Sequence, residues 1–590
     1  MRKLVVPLAV AASVAAAGMM TGGAASAVTP IYDITTLAGK VASVNGTAGL
    51  QIRFSSYVEE ESVDGPYTGA VTPPMTPAFV LSSPLDGTSV QGPAVTVNRD
   101  TAAAPQNETA IAVDPNNSQR VVAGANDYVT RTWSCDVGGT PCSALGDGYS
   151  GTYYSNDGGS TWQGVSSDPA HLGTLIPGVT HLTGGPYDAG GDPALTFDSR
   201  GAAYFAGLGF DRNTPPNTVT VNRGTFNGSG ALTWSAPTFI NPTTSPSVFN
   251  DKEWIAADAH ASSPFRDRVY LTWTRFLFNP QNGAYVQSPI FFASSSDHGH
   301  TFTTPKSISG TVLYDQGSRP VVGPDGSLYV FFEGSTRLAT HSSTYVVKST
   351  DGGASWGKPV AIAQLTDSDS LKDTAFRVNS FPAAAVAPDG RLYATWTTAE
   401  SGASTAVYST STDGGATWSE PSRVFAEANR TAVGYPVTQP GGGTLDAPAA
   451  APVEDIFPAV GVGPDGHVYL GAYRGDVVSP WQTCTSAPAP PVGRISCDTL
   501  GPYVHNTRLD YVVTDLDQTQ VMSTHPINTR YGFGGAFFGD YTDVTVGADG
   551  EAHALWTDSN NVQNVVWFYG VQFVPTPIHQ QDAVIRSAHF

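Results

Sequence analysis

Charged side chains make up only 13 % of this chain of 590 residues, so the places where they cluster are informative. Many fall where a predicted strand begins or ends. Arginine holds anionic groups through charge-assisted hydrogen bonds, whereas Asp, Glu and Tyr can transfer protons or attack a substrate. The residues placed in this way are Asn107, Glu108, Asp127, Tyr128, Asp192, Asp211, Arg212, Asp251, Lys252, Glu253, Arg275, Arg319, Glu333, Arg377, Glu400, Glu454, Asp455, Arg474, Asp476, Asp540, Tyr541 and Asp558.

A repeat along the chain supplies the strands that must position these residues. Each copy has a short apolar strand, a turn of the Asp-Gly type and a second strand rich in Tyr, Val, Leu and Trp. Asp-Gly between two strands favours a hairpin because Gly supplies the left-handed position. The copies begin near Thr109, Pro193, Trp254, Pro320, Pro382, Pro458 and Thr542. Small residues in the first strand suit a crowded position near a central axis.

Four further turns share the pattern Ser-x-Asp-x-Gly-x-Thr/Ser-Trp/Phe. They occupy residues 155–162, 295–302, 349–356 and 411–418. An Asp side chain can accept hydrogen bonds from nearby backbone N–H groups, Gly takes a positive φ, and the final aromatic residue can fold back under the turn. The aspartates of these turns are Asp157, Asp297, Asp351 and Asp413.

This pattern resembles the Asp-box, or BNR, repeat of the sialidase-like β-propellers. In that family the box joins the third and fourth strands of a blade and faces away from the active site, so the resemblance implies a structural role for the four aspartates. Together with the seven copies, it predicts an all-β fold: a single propeller with seven blades of four antiparallel strands. A six-bladed ring, as in the catalytic sialidases, is the alternative and would make one copy an insertion.

The strand order places the Asp-Gly turns and the Asp boxes on one face and the charged strand ends on the other. Sialidases hold a sugar carboxylate with three arginines, attack with a Tyr paired to a Glu, and use an Asp as acid and base. By resemblance, the substrate-binding residues would be Arg319, Arg377, Arg474 and Arg275. The catalytic residues would be Tyr541, Glu333 (or Glu400), Asp192 and Asp127. Topology alone places them, because the Arg-Ile-Pro motif that precedes the first blade in that family is missing.

The start of the chain is typical of a secretory signal peptide. Arg2 and Lys3 precede an apolar run, and Ala25-Ser26-Ala27 is a small-residue cleavage site. We therefore predict a signal peptide over residues 1–27, an irregular N-terminal extension over 28–104 and the propeller over 105–590, and we expect a secreted protein. The alternating stretch at residues 94–98 could close the ring as a strand. A membrane anchor is disfavoured because the run falls short of the ~18 apolar residues that a spanning helix needs.

The four cysteines form two local pairs, Cys135/Cys142 and Cys484/Cys497. In an exported protein each pair favours a small disulfide loop, and the alternative, a zinc site, lacks a His at ligand spacing. The net charge of −21 argues against nucleic acid and anionic membrane surfaces as partners. We expect a monomer without a membrane span.

No cofactor is expected. Calcium at Asp515 and Asp517 stays open, although a solvated turn is favoured because a fuller loop of oxygen ligands is missing. Two functions also stay open. One is a sialidase-like exo-glycosidase acting on a glycan or polysaccharide. The other is a non-catalytic propeller that binds polysaccharide or protein on the same charged face. Three converging arginine heads opposite a Tyr–Glu pair would distinguish the enzyme.

Overall fold

The structure is a computed structural model that describes residues 94–99, 105–130, 136–137, 140–165, 174–211, 216–338, 341–368, 370–374, 376–400, 402–438, 442–480, 505–529, 537–568 and 573–590. The side chains of residues 129–147 and 562–580 are outside this description. The predicted signal peptide, most of the extension and Arg212 also lie outside it.

The cysteines fall largely outside the described residues as well. Cys135, Cys484 and Cys497 are not among them, and Cys142 belongs to a described strand but its side chain is outside the description. The described structure therefore contains neither the Cys135–Cys142 nor the Cys484–Cys497 disulfide. Both pairings stay predictions.

Regular structure in the described part is almost entirely β. A two-residue strand comes first, β1 (Val95–Thr96). The first blade contains β2 (Gln106–Asp114), β3 (Asn117–Thr130), β4 (Asp136–Val137), β5 (Thr140–Ser155) and β6 (Gln163–Gly164). After a short 3₁₀ helix (His181–Thr183), the second contains β7 (Ala189–Phe197), β8 (Ala203–Phe210), β9 (Asn217–Phe226), β10 (Leu232–Trp234) and β11 (Thr238–Thr243). The third contains β12 (Val248–Ala257), β13 (Val269–Phe278), β14 (Tyr285–Gln287), β15 (Ile290–Ser295) and β16 (Lys306–Ser307).

The second half of the chain continues the same pattern. The fourth blade contains β17 (Tyr314–Val322), β18 (Leu328–Ser335), β19 (Ser343–Ser349) and β20 (Val360–Gln364), and the fifth contains β21 (Ala383–Val386), β22 (Leu392–Thr398), β23 (Thr405–Ser411) and β24 (Ser422–Arg423). A long connection carries β25 (Thr431–Ala432), β26 (Val437–Thr438) and β27 (Thr444–Leu445). The sixth contains β28 (Glu454–Val462), β29 (Val468–Pro480), β30 (His505–Thr514), β31 (Thr519–Val521) and β32 (Ile527–Asn528), and the seventh contains β33 (Asp543–Val546), β34 (Ala552–Phe568) and β35 (Phe573–Ala588).

Over the described ranges these strands form seven blades around one axis. Within a blade the strands follow chain order outward, as in β17-β18-β19-β20. The innermost strands β2, β7, β12, β17, β21, β28 and β33 contact one another in sequence, and β33 contacts β2. The prediction of an all-β, seven-bladed propeller is confirmed. The six-bladed alternative is wrong, because the second copy builds a full sheet, β7 to β11, rather than an insertion.

Both ends of the described chain meet in the seventh blade. β1 pairs antiparallel with β35, with Val95 opposite Ile585 and Thr96 opposite Val584. The backbone N–H of Val97 also donates to the carbonyl of Ala583 at 2.8 Å. The outer strand of the last blade thus comes from the residues that precede the first, which ties the two ends of the ring together.

Each Asp box closes on itself through the same hydrogen bonds. In the fourth blade Asp351 Oδ1 accepts from Ser349 Oγ at 2.8 Å and from the backbone N–H of Ser355 at 2.8 Å, while Ser349 Oγ accepts from the N–H of Gly353 at 2.9 Å. Gly352 and Gly353 have φ of 67° and 86°, which favours glycine. Because every one of these bonds spans four residues or fewer, residues within the motif itself specify the turn.

The box aromatic residues join neighbouring blades. Trp356 of the fourth blade packs edge-on against Phe292 of the third, with ring centroids 4.9 Å apart, and Trp418 of the fifth packs in the same way against Phe331 of the fourth at 5.7 Å. Arg268, in the Asp-Gly-side loop of the third blade, donates to the carbonyl of Gly352 at 2.9 Å. The boxes and the turns that follow the innermost strands therefore share one face, and the charged strand entries lie at the opposite face.

We expect the Asp boxes to make folding stability depend on acid. Hydrogen bonds from the side chain and backbone of Ser355 lower the pKa of Asp351 to about 2, and the pKa values of Asp297 and Asp413 are also about 2. A lowered folded-state pKa contributes stability that is present above the unfolded value near ~3.9 and is lost as pH falls towards the folded value. The triple variant D297N/D351N/D413N should therefore show a weaker fall of Tm between about pH 4 and pH 2. The matched control is D389N/D446N/D517N, which replaces exposed carboxylates. Equal pH slopes for the two triple variants would contradict the assignment.

Candidate functional site

A repeated backbone irregularity shapes the face opposite the boxes. Near its start, each of β2, β7, β12, β17 and β28 has a β-bulge, where the pairing register with the next strand shifts. The bulge residues with positive φ are Glu108 (55°), Asp192 (54°), Lys252 (52°), Gly317 (68°) and Phe457 (51°). Only glycine adopts this region without strain, and strain of this kind persists where the surrounding fold imposes it. The bulges thus turn five equivalent residues towards the axis.

In the seventh blade Tyr541 occupies the equivalent position. It lies nine residues before the turn glycine Gly550, just as Gly317 precedes Gly326 and Phe457 precedes Gly466. We call the opening of the ring on this face the mouth. It is formed by Glu108, Asp192, Asp251, Lys252, Glu253, Arg377, Asp540 and Tyr541.

Two carboxyl groups on neighbouring blades meet at the mouth. Glu108 of the first blade and Asp192 of the second are hydrogen-bonded to each other. Asn126 positions both, because its Nδ2 donates to Glu108 Oε2 at 2.7 Å and its Oδ1 accepts from the backbone N–H of Asp192 at 2.7 Å. Glu108 is buried, whereas Asp192 is half-buried. Two carboxylates this close cannot both be ionised, so the pair shares a proton.

The pair differs in acidity. Burial and the nearby carboxylates Asp192 and Asp540 raise the pKa of Glu108 well above its ordinary value. Burial also raises the pKa of Asp192, but Lys252 and the hydrogen bond from Glu108 oppose that rise. The proton therefore resides on Glu108, and Asp192 accepts its hydrogen bond. Carboxyl groups whose pKa values are separated in this way can divide the roles of acid and base.

Lys252 and Tyr541 pack together beside this pair. Lys252 Nζ lies 3.4 Å from the centroid of the Tyr541 ring and 4.9 Å from that of Trp254, a double cation–π contact. The Tyr541 hydroxyl donates to the carbonyl of Pro193 at 3.1 Å. Burial and the carboxylates around it, Glu108 first, raise the pKa of Tyr541 well above its ordinary value. The ring therefore stays neutral and serves as a platform for the ammonium group.

Arg377 and Asp540 form the other ionic contact of the mouth. Arg377 Nη2 lies 2.5 Å from Asp540 Oδ2, and Asn379 Nδ2 donates to Asp540 Oδ1 at 3.1 Å. The guanidinium also lies 4.7 Å from the centroid of the Phe537 ring. Although half of the Arg377 side chain is exposed, its charge is directed to Asp540 rather than to an open site. Arg377 and Asn379 thus hold the Asp540 carboxyl group in a fixed orientation.

A further ion pair crosses the ring below the mouth. Arg319 of the fourth blade donates to Asp543 Oδ1 of the seventh at 2.7 Å, and its guanidinium lies 3.7 Å from the centroid of the Trp254 ring. Asp543 Oδ2 accepts from the backbone N–H of Ile111 in the first blade at 3.1 Å. Contacts from four blades therefore meet at the axis around this one pair.

The ion pair separates two cavities along the axis. Above it is a small pit of about 30 Å³, lined by Lys252, Tyr541, Asp540, Asn379 and Phe381 among others. Below it a cavity of about 320 Å³ is lined mainly by Val, Ile, Leu and Ala side chains of the innermost strands. Arg319 and Trp254 line both. The mouth is therefore closed from beneath.

The structure brings Tyr541, Asp192, Arg319 and Arg377 to the axis, but it places the other predicted site residues elsewhere. Asp127 is buried in the first blade, where it accepts from Tyr153 Oη at 3.0 Å and Gln106 Nε2 at 3.1 Å.

The remaining three predicted residues lie in the second strands of their blades rather than at the bulges of the innermost strands. Glu333 is buried in β18, opposite Gln316 and Thr344. Arg275 lies over the Phe291 ring. Arg474 pairs with Asp455 at 3.1 Å and donates to the carbonyl of Ala426 at 2.8 Å.

The three arginines of the predicted clamp therefore have three separate carboxylate partners. Arg319 pairs with Asp543, Arg377 with Asp540 and Arg474 with Asp455. The sequence placed Glu108, Lys252 and Asp540 on this face without assigning them a role. The signal that would have singled out Glu108 and Lys252 is their alignment with Gly317, the residue at the same position before the fourth Asp-Gly turn.

The described residues also bear on metal binding and on membrane-spanning helices. No cluster of three or more His, Cys, Asp or Glu side chains there is arranged to hold a metal ion. Asp515 Oδ1 accepts from the backbone N–H groups of Asp517 and Gln518 at 2.9 and 2.6 Å, which makes this segment a turn between β30 and β31. No helix in the described part has the length and apolarity to span a bilayer.

A family model described as a BNR repeat-like domain matches residues 202–442. Residues 202–442 therefore match a BNR repeat-like domain, and they lie within a β-propeller. The resemblance drawn from the Asp boxes is thereby confirmed, and the boxes of Asp297, Asp351 and Asp413 lie within the matched range.

Solved structures similar to this propeller include proteins of different activities. A protein of unknown function from Dyadobacter fermentans is 14 % identical, covers 86 % of this chain and 100 % of its own, and has a TM-score of 0.37. The leech intramolecular trans-sialidase is 13 % identical, with 85 % and 70 % covered and a TM-score of 0.34. An α-L-arabinofuranosidase of Fusarium graminearum is 11 % identical, with 67 % and 92 % covered and a TM-score of 0.34. Comparison with curated proteins gives no match.

We expect the cross-ring ion pair to be a major contributor to stability. Arg319 and Asp543 are both largely buried, so R319M would leave a buried carboxylate unpaired and lower the free energy of unfolding by about 3 kcal/mol. The double variant R319M/D543N should recover more than half of that loss, because Asn can still accept from Ile111. Urea unfolding followed by tryptophan fluorescence measures both.

The matched control is R200M, which breaks an ion pair of 2.9 Å in which the arginine is 66 % exposed. Its effect should stay below about 1 kcal/mol. A loss for R319M no larger than that for R200M would mean that the ring does not depend on the crossing pair.

Proposed function

We propose that this BNR-repeat propeller is a secreted, glycan-acting hydrolase whose proton donor is the Glu108–Asp192 pair. The observation that carries the proposal is the hydrogen-bonded carboxyl pair at the axis, on the face opposite the Asp boxes. Glycoside hydrolysis needs one protonated and one ionised carboxyl group at the scissile bond. In this proposal Glu108 with Asp192 supplies the proton, and Asp540, which Arg377 and Asn379 hold in place, acts as the base.

The proposed reaction follows from these positions. The shared proton passes through the half-buried Asp192 to the leaving-group oxygen as the glycosidic C–O bond breaks. A water molecule attacks the anomeric carbon, and Asp540 accepts the proton that this water loses. Exchange with solvent then restores both groups. Because the crossing ion pair closes the mouth from beneath, a chain end fits better than a continuous chain, and we propose exo action.

The charges of the mouth favour a neutral sugar over an anionic one. Five acidic side chains, Glu108, Asp192, Asp251, Glu253 and Asp540, face two cations, Lys252 and Arg377. Even with some of the carboxyl groups protonated, the balance does not favour a carboxylate ligand. The three arginines that would clamp sialic acid each have a carboxylate partner already. A sialidase activity therefore has less support than hydrolysis of a neutral glycoside.

We expect E108Q and D192N to abolish most of this activity. Purified protein is assayed against fluorogenic neutral glycosides, including α-L-arabinofuranosides, and against sialosides. Turnover of the hydrolysed substrate should fall by a factor of about 10² to 10⁴ in each variant, the range typical for loss of a general acid. D446N, an exposed loop carboxylate, is the control and should leave turnover unchanged.

Two outcomes would replace the proposal with another. Preferred cleavage of sialosides would restore the sialidase assignment. Binding on a glycan array without turnover of any glycoside would identify a non-catalytic propeller that binds glycan at this face.

Substitution of Tyr541 tests whether the carboxyl groups or the tyrosine carry out the catalytic step. If the carboxyl pair and Asp540 carry the reaction, Y541F removes one hydrogen bond to Pro193 and keeps the ring under Lys252, so kcat should stay within about tenfold of wild type. If Tyr541 is the nucleophile, as the resemblance to sialidases implies, Y541F should lose most activity. A stopped assay on the best substrate of the panel measures the difference.

A further inference from the structure

Lys252 occupies a buried position whose backbone conformation is unfavourable for lysine. It is buried at 5 % exposure and adopts a φ of 52°, a left-handed conformation that disfavours any residue with a side chain. The equivalent residue of the fourth blade is Gly317, which adopts a similar φ of 68° without strain. Burying a lysine is costly, and its combination with backbone strain points to a role in the mouth.

The ammonium group is held by aromatic faces. Its Nζ lies 3.4 Å from the Tyr541 ring centroid and 4.9 Å from the Trp254 centroid, and the two rings pack edge to face at 5.3 Å. Contact with two aromatic rings fixes the charge at one place beside the carboxyl groups. A charge fixed in a mostly buried site acts strongly on its neighbours, because little water screens it.

Charged and titratable groups surround Lys252 on every side. The first and second blades supply Glu108 and Asp192, its own strand supplies Asp251 and Glu253, and the seventh blade supplies Asp540 and Tyr541. Two arginines complete the set: Arg319 shares the Trp254 ring, and Arg377 neutralises Asp540. Arg319 and Arg377 are paired to Asp543 and Asp540, and Lys252 lowers the pKa of Asp192 more strongly than Arg377 does.

We propose that Lys252 is a positioning residue that keeps the Glu108–Asp192 pair singly protonated by holding Asp192 ionised. The importance of this role for catalysis rests on the proposed function. The number of protons that the Glu108–Asp192 pair binds does not depend on it. Without the ammonium, burial and mutual repulsion would drive a second proton onto the pair. Asp192 would then no longer accept the hydrogen bond of Glu108, and the pair could not cycle a proton.

The direction of the effect follows from the electrostatics. Burial raises the pKa of both carboxyl groups, and Lys252 lowers both. Removing the ammonium therefore raises the pKa of the pair, so that its ionised form is lost at a higher pH. An opposite charge a few ångströms away typically shifts a carboxyl pKa by about 1 to 3. K252M should move the acidic limb of the pH–kcat/KM profile upward by at least about one pH unit, and K252R should leave it near the wild-type position.

An infrared measurement tests the proton count without reference to activity. Near neutral pH, the difference spectrum of K252M minus wild type should gain one carbonyl band of a protonated carboxyl group. In the Asp192→Asn background the same Lys252→Met substitution should add no band. The matched control is K348M, because Lys348 lies 5.0 Å over the Tyr329 ring near the Asp-box turns, outside the mouth. It should add no band and leave the pH profile unchanged.

The outcomes separate this inference from the proposed function. If K252M adds no band, or if the band persists in the Asp192→Asn background, the inference is overturned. If the band behaves as expected but no glycoside is hydrolysed by any form, the role of Lys252 stands and the hydrolase proposal fails. A K252R protein that resembles K252M in its spectrum would also overturn the inference, since a retained charge should keep Asp192 ionised.

Discussion

The Arg319–Asp543 ion pair is the contact on which the centre of this propeller depends. It joins the fourth blade to the seventh across the axis, and its members also contact Trp254 of the third and Ile111 of the first. A ring of blades packed only against their neighbours has no direct link across its centre, and this pair supplies one. It also divides the channel, so that an ionic mouth and an aliphatic cavity lie on the same axis without merging.

That structural use of Arg319 limits what the mouth can bind. An arginine that neutralises a buried aspartate cannot also hold a substrate carboxylate without leaving the aspartate uncompensated. Arg377 is committed to Asp540 in the same way. The mouth is therefore rich in carboxyl groups and poor in uncommitted cations, which suits proton transfer to a neutral substrate better than capture of an acidic one.

The sequence predicted the parts of the fold that local interactions determine. The bonds of an Asp box span two to four residues, so Ser349, Asp351 and Ser355 specify their turn whatever surrounds it. The number of blades followed from counting another local unit, the hairpin with an Asp-Gly type of turn, which occurs seven times. The site could not be predicted in this way, because Arg319 and Asp543 are 224 residues apart and Arg377 and Asp540 are 163 apart.

Residue type alone also misplaced several candidates. Glu333 and Asp127 are carboxylates near strand ends, as Glu108 and Asp192 are, yet they lie in the second strand of their blades and are buried there. What distinguishes Glu108 and Asp192 is the bulge in the innermost strand, and only the fourth blade marks that bulge with a glycine, Gly317.

A propeller repeats this backbone position once per blade, and the side chain at the position can differ from blade to blade. Glu108, Asp192, Lys252, Gly317, Phe457 and Tyr541 share one backbone position around one axis. The fold supplies the convergence, and the differences among these residues supply an acid, its partner, a cation and an aromatic platform.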